Sequence, residues 1–359
     1  MQKSQYLSYQ DVFLKPHYSK YHSRSDADVS VEFGPKKFKL PVTPANMKCT
    51  IDAKTAKWMS ENDYFYVMHR FNISHHDTPN TDNINFIEKA NEENWKNISI
   101  SLGVKQEDMD LVEHCIKKNL RVDYITIDIA HAHSVRMKEM LAYIMRMYRS
   151  SICSVEKPFI IAGNVATPAA VVDLENWGAD SVKVGIAQGD ACTTYGQTGF
   201  GMPMFTCMLE CSAAARKPLV ADGGIRMNGD IAKAIRAGGQ MVMVGSVFAA
   251  CVDSPAETIQ KVVRMNELKE TMKVSPKGVL EQSLDEMLAK KKYKQYYGSA
   301  SAINKGSNTH VEGRLVTLEC NGFTYEQKLK EMTESLQSSM SYAGGDIRLA
   351  DWGIIYHKH

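Results

Sequence analysis

The run VKVGIAQGDACTTYGQTGFG, residues 182–201, places one thiol, Cys192, beside two hydroxyls, Thr193 and Thr194, in a loop rich in glycine. Gly185, Gly189, Gly196, Gly199 and Gly201 permit close backbone approach and unusual dihedral angles. Such a loop can aim amides at a phosphate or carbonyls at a cation. A thiolate attacks strongly even at a small ionised fraction, so Cys192 is a candidate nucleophile. The competing reading is a small buried hydrophobe, as most lone cysteines are. No His or Asp near it has the spacing of a hydrolase triad.

A second cluster, ADGGIRMNGDIAKA, is followed by MVMVGS. Asp222 can accept hydrogen bonds from a ribose diol. Gly223, Gly224, Gly245 and Ser246 stand where barrels bind phosphate through backbone amides. Two tight turns are the alternative, and they explain the glycines but not their recurrence after successive strands.

These groups need elements to position them. Apolar, β-rich runs recur at 39–47, 64–70, 97–104, 124–130, 158–165, 181–186, 218–224 and 241–246. Each is short and apolar on both faces, which suits a buried parallel strand. TPAAVVDLENWGA (167–179) and GDIAKAIRAGG (229–239) read as helices between strands, the first with Pro near its start and Gly near its end. Eight such units predict an α/β fold, a (β/α)8 TIM barrel, with a doubly wound open sheet as the rival. Polar residues gather at the C-terminal ends of the runs: Asn46, His69, Arg70, Asp128, Gly163, Asn164, Gly185, Asp222, Gly245 and Ser246. Singly each reads as a turn residue. Together they predict an active site on that face.

The 359 residues are expected to form a single catalytic domain, 1–359. A flap is predicted at about 280–322, an extended loop containing KKKYKQYYGSASAINKGSN, and a C-terminal helix and tail at 325–359. A net charge of +2 without a long basic run gives no reason to expect nucleic acid or a membrane surface as partner. The N-terminus MQKSQYLSYQDVF lacks an apolar signal core. Eight cysteines with no C-x-x-C pair read as reduced thiols of a cytoplasmic enzyme.

The ordered motifs LPVTPANM, YFYVMHRF, ITIDIAHAHS, IIAGNVATP, KVGI-x-x-G-x-x-C-T-T, ADGGIR-x-x-GDIAKAI, MVMVGS-x-FA and YYGSAS resemble the IMP dehydrogenase/GMP reductase family, from about Tyr9 to Gly345. Within it the chain looks like the reductase side, with a dehydrogenase lacking the regulatory modules and a non-catalytic purine-nucleotide-binding relative as the alternatives. Only about 26 residues separate YVMHR from NISIS, where dehydrogenases usually carry regulatory modules, so no such insert is expected. The Arg-Tyr pair with which dehydrogenases hydrolyse their intermediate is missing, while the reductase-like Thr194 and Glu312 are present.

The resemblance implies that Cys192 attacks C2 of GMP, that ammonia leaves, and that NADPH reduces the adduct to IMP. Thr194 and Glu312 would move the protons. Asp222 would hold the ribose; Gly223, Gly224, Gly245, Ser246 and Tyr297 the phosphate; Gly298 and Ser299 the purine edge. Asp128, Asn164 and Arg70 would face the cofactor. Ser338 and Tyr342, in LQSSMSYAGG, would reach the cofactor of a neighbouring subunit in a homotetramer. Carbonyls of Ala187, Gly189 and Cys192 would hold a monovalent cation such as K+. The chain departs from the family in three places. Asp190 stands where a Ser or a basic residue helps bind phosphate, Ala187-Gln188 replaces Gly-Pro, and Arg70 replaces a common Lys.

Overall fold

A computed structural model describes residues 6–71, 80–150, 153–264, 288–305 and 309–355. Seven strands form one parallel sheet: Val42–Pro44, Ser99–Leu102, Tyr124–Asp128, Phe159–Val165, Ser181–Val184, Leu219–Asp222 and Met241–Val244. The first pairs with the last, and each of the others pairs with its neighbour in the chain. The remaining predicted run, 64–70, joins beside Ser99–Leu102. Its Met68 receives a hydrogen bond from Ser101 N and donates one to Ser99 O. Lys39 N–H donates to Asp63 O at 2.9 Å and brings this run beside the approach to Val42–Pro44. The result is a curled parallel barrel of the (β/α)8 type, and the open-sheet rival is set aside.

Burial explains the runs. SISL, SVKV and MVMV are buried at every position, as strands covered by side chains inside and helices outside must be. The helix Pro168–Trp177 begins where Thr167 accepts from Ala170 N and stops at Gly178, at φ +114°. That conformation costs glycine little and other residues more. The N-terminal end of the barrel is plugged by the hairpin Val31–Phe33/Lys36–Phe38. Phe33 packs on Phe65, Tyr124 and Phe159, and Phe38 on Phe65 and Tyr124, at centroid distances of 5.2–6.2 Å. The opposite, C-terminal end is left for chemistry.

The predicted flap contains regular structure. Leu288–Tyr297 pairs antiparallel with Thr258–Arg264 on one side and Leu315–Glu319 on the other. Alternation in KKKYKQYY is masked because Lys294 is itself buried, its Nζ donating to the carbonyls of Ser254 (3.1 Å) and Ala256 (3.2 Å). Residues 280–287 and 306–308 of the predicted flap lie outside the described residues. The C-terminal helix is Tyr325–Tyr342, capped by Thr324 and Gln327, with Leu329, Met332 and Leu336 facing the core. Trp352–Ile354 then pairs with Val12–Leu14 and ties the two ends of the chain together.

Candidate active site

A cavity of about 740 Å³ opens at the C-terminal ends of the strands. It is within the range of small-molecule sites. Asn46, Asp128, Asn164, Gly185, Asp222 and Gly245 reach it from six successive positions around the barrel, and Tyr296, Ser299 and Glu312 close it from the antiparallel extension.

Cys192 lies on this wall. Its thiol donates to Thr194 Oγ1 at 3.2 Å, and the Thr194 hydroxyl donates to Glu312 Oε2 at 2.7 Å. The chain therefore offers a proton path from sulfur to carboxylate. Backbone bonds hold the three in register: Thr193 N to Glu312 O and Arg314 N to Ala191 O, both 2.9 Å, with Cys192 N tied back to Gly189 O. Other thiols are not in this setting. Burial pushes Cys49 and Cys251 up to about 11 and Cys115 up to about 12.

A buried charge network forms the floor. Lys183 Nζ lies 2.5 Å from Asp222 Oδ2 and 3.2 Å from Asp128 Oδ1. Asn46 donates to Asp128 at 2.7 Å; Asn164 donates to Asp222 at 2.9 Å and to Gly185 O at 2.6 Å. Burial alone would raise the Asp128 carboxyl, but Lys183 and the Asn46 hydrogen bond outweigh it and hold it low. Burial likewise opposes the Lys183 charge, and the two carboxylates override it and raise the ammonium. The sequence reading named Asp128, Asn164 and Asp222 and missed Lys183. Its signal was present: one lysine inside the buried strand SVKV needs partners.

At the far end, Gly223 packs on the cysteine loop, where an added Cβ would come within 3.2 Å of Gln188. The Gly224 amide is occupied, donating to Gln188 O at 3.1 Å. Gly245 faces Tyr296, whose hydroxyl an added Cβ there would strike. Tyr296, rather than the expected Tyr297, lines the cavity; neighbouring residues of a strand point to opposite faces. Gly298 and Ser299 line it as expected, and Asn304, which the sequence reading did not name, joins them.

Arg70 lines the same cavity, its guanidinium 4.9 Å from the Phe71 ring, with Lys48 and Lys105 nearby on the wall. Ser338 and Tyr342 do not line it. Ser338 bonds within its own helix to Glu334 O, and Tyr342 is 58% exposed beside Arg24. Ala187 and Gly189 lie on the wall, Ala187 at φ +66°. Among the described residues no His, Cys, Asp and Glu cluster fits a metal ion, and no helix is long and apolar enough to cross a membrane.

Behind Arg70, His69 is buried, and its Nε2 has no hydrogen-bond partner among the described residues. Burial, then the Lys48 charge, brings the imidazole down to about 4. This lies below the ~6.5 of an unfolded histidine, so its stabilising contribution is complete above that pH. It is lost as pH falls towards 4, by about 3 kcal/mol. Urea unfolding of His69→Gln is expected to show a correspondingly flatter decline over that window. An unchanged acid limb would reject a buried neutral imidazole.

Fold and site together define a (β/α)8-barrel protein whose open end presents a loop cysteine linked through a hydroxyl to a carboxylate. The chain belongs to the IMP dehydrogenase / GMP reductase family, whose domain profile matches residues 6–348. It is 42% identical to the GMP reductase of Leptothrix cholodnii over 355 residues, 97% of this chain and 96% of that one. The GMP reductases of Staphylococcus carnosus and Acidovorax sp. strain JS42 are 44% and 41% identical, with the same shares covered.

Proposed function

We propose that this oxidoreductase converts GMP to IMP, releasing ammonia, with NADPH as reductant. The observation that carries the reading is the Cys192–Thr194–Glu312 chain on the cavity wall, in a protein so similar to GMP reductases. The Cys192 thiol passes its proton through Thr194 to Glu312, and the sulfur bonds to C2 of the purine. The C2–N2 bond breaks as a proton returns along the same path to the departing ammonia. NADPH, when bound, would supply the hydride that C2 takes up; the C–S bond would then break, IMP would leave, and the sulfur would take up a proton to restore the thiol.

The remaining residues hold the reactants. Asp222 accepts from the ribose, Gly223, Gly245 and Ser246 meet the phosphate, and Gly298 and Ser299 border the purine. Among the described residues the buried Oδ1 of Asn164 has no hydrogen-bond partner; the residue lines the cavity, and a turn of its amide would present Oδ1 to the N–H of a nicotinamide. Asp128 and Arg70 flank that position. A monovalent cation such as K+ would be held by carbonyls of Ala187, Gly189 and Cys192. Ala187 turns the loop at φ +66°, a conformation costly for a residue with a Cβ, and coordination of such an ion would offset that cost. The chain acts as one catalytic domain in a cytoplasmic homotetramer, in which Ser338 and Tyr342 approach a neighbour's cofactor.

The test follows NADPH absorbance and ammonia together. GMP-dependent oxidation with one ammonia per NADPH is expected; faster turnover of IMP with NAD would overturn the reading. Glu312→Gln is expected to lower kcat by ~10²–10⁴ while KM for GMP changes much less, because the carboxylate handles protons rather than substrate.

A further inference from the structure

On the reading above, the substrate phosphate lies against Gly223, Gly245 and Ser246, and the side chain that occupies this corner is a carboxylate. Asp190 Oδ1 accepts from Arg226 Nε at 3.3 Å, and Oδ2 accepts from the Ser246 hydroxyl. Arg314 Nη2 reaches the Asp190 carbonyl at 3.4 Å, so two guanidinium groups flank the residue. Serine hydroxyls and arginine guanidinium groups bind phosphate oxygens through the same hydrogen bonds they give a carboxylate. In the free protein these donors are already engaged by an internal anion.

We propose that Asp190 is an internal phosphate surrogate, holding Ser246 and Arg226 until substrate displaces it. The residue thereby sets how strongly the enzyme prefers a phosphorylated purine nucleoside to the unphosphorylated one. The inference rests on the purine-nucleotide reading of the site. A phosphate dianion cannot approach Ser246 beside an ionised carboxylate without Coulomb cost. The carboxylate must release the hydroxyl and swing out, or share Arg226 with the phosphate. Either way the phosphate contributes less affinity than it would beside a neutral side chain. The side chains are 29% and 57% exposed, so water screens the effect and keeps it moderate.

The experiment compares wild type, Asp190→Asn and Asp190→Ser for binding of GMP and of guanosine by calorimetry, and for kcat/KM on both with NADPH. The preference for GMP over guanosine is expected to rise by about tenfold in both variants, carried by tighter GMP binding. Inorganic phosphate is expected to raise the Tm of Asp190→Asn more than that of wild type. An unchanged preference overturns the proposal. So does equal weakening of both ligands, which would make Asp190 a mere brace of the loop. Arg226→Ala provides an arm that does not depend on the Asp190 variants folding. It leaves Asp190 without its counter-charge, so the GMP preference is expected to fall, and a rise would overturn the proposal. Wild type that neither binds nor reduces either compound would sink the underlying functional reading instead.

Discussion

Cys192→Ala is expected to lose GMP reduction by a factor on the order of 10⁴ or more while still binding GMP. The expectation follows from the chemistry of the leaving group. An exocyclic amine on an aromatic ring departs poorly, and the sulfur adduct divides one difficult displacement into two easier steps. The alanine variant retains Asp222, Gly223 and Ser246, so calorimetry should record GMP binding near that of wild type. Cys192→Ser should be nearly as inactive, because a hydroxyl is far less ionised than a thiol at neutral pH. Alkylation gives an independent readout. Iodoacetamide is expected to label Cys192 before Cys115 and Cys251, whose thiols burial holds at about 12 and about 11, and GMP should protect it. Full turnover by Cys192→Ala would rule out covalent catalysis at this residue.

Lys183→Met carries the second large effect, and it falls on stability as well as turnover. The ammonium side chain is 3% exposed and stands between two carboxylates, Asp128 and Asp222. Removing it leaves two partly buried like charges facing each other, a change that costs about 3–5 kcal/mol. The pH dependence has a definite sign. In wild type, the lowered Asp128 carboxyl contributes stability present above the ~3.9 of an unfolded aspartate and lost as pH falls through its lower folded value. The raised Lys183 contributes below ~10.4, and that contribution is lost only as pH rises through its still higher folded value. Both are intact near neutrality. In the variant the two carboxylates raise one another, so protonation relieves the repulsion and the deficit should be smaller at pH 5 than at pH 8. Urea unfolding at the two pH values measures this. Adding Asp222→Asn should restore part of the loss. A deficit under ~1 kcal/mol at pH 8, or one independent of pH, would mean that the carboxylates find other partners.

What could be read directly from the sequence was local. Apolar runs such as SISL and MVMV are buried on both faces because a parallel barrel strand has no wet side. The helix 168–177 could be read from the Pro near its start and the Gly near its end, because such signals act within one turn. Cys192 stood out through its glycine-rich surroundings, and Asp128, Asn164 and Asp222 through their places at the ends of strands. Glu312 carries no local signal in HVEGRLV, and only the family resemblance pointed to it; it is 118 residues from the hydroxyl it accepts from. The tertiary structure alone decided the rest. It put Lys183 between two acids from other strands, exchanged Tyr296 for Tyr297 at the cavity, and gave Asp190 its Ser246 and Arg226 partners. It also made strands where a loop was expected, because the buried lysine that conceals their alternation is satisfied by carbonyls about 40 residues away. Periodicity and capping act over a few residues, whereas a side chain's partners across a barrel depend on how the whole sheet closes.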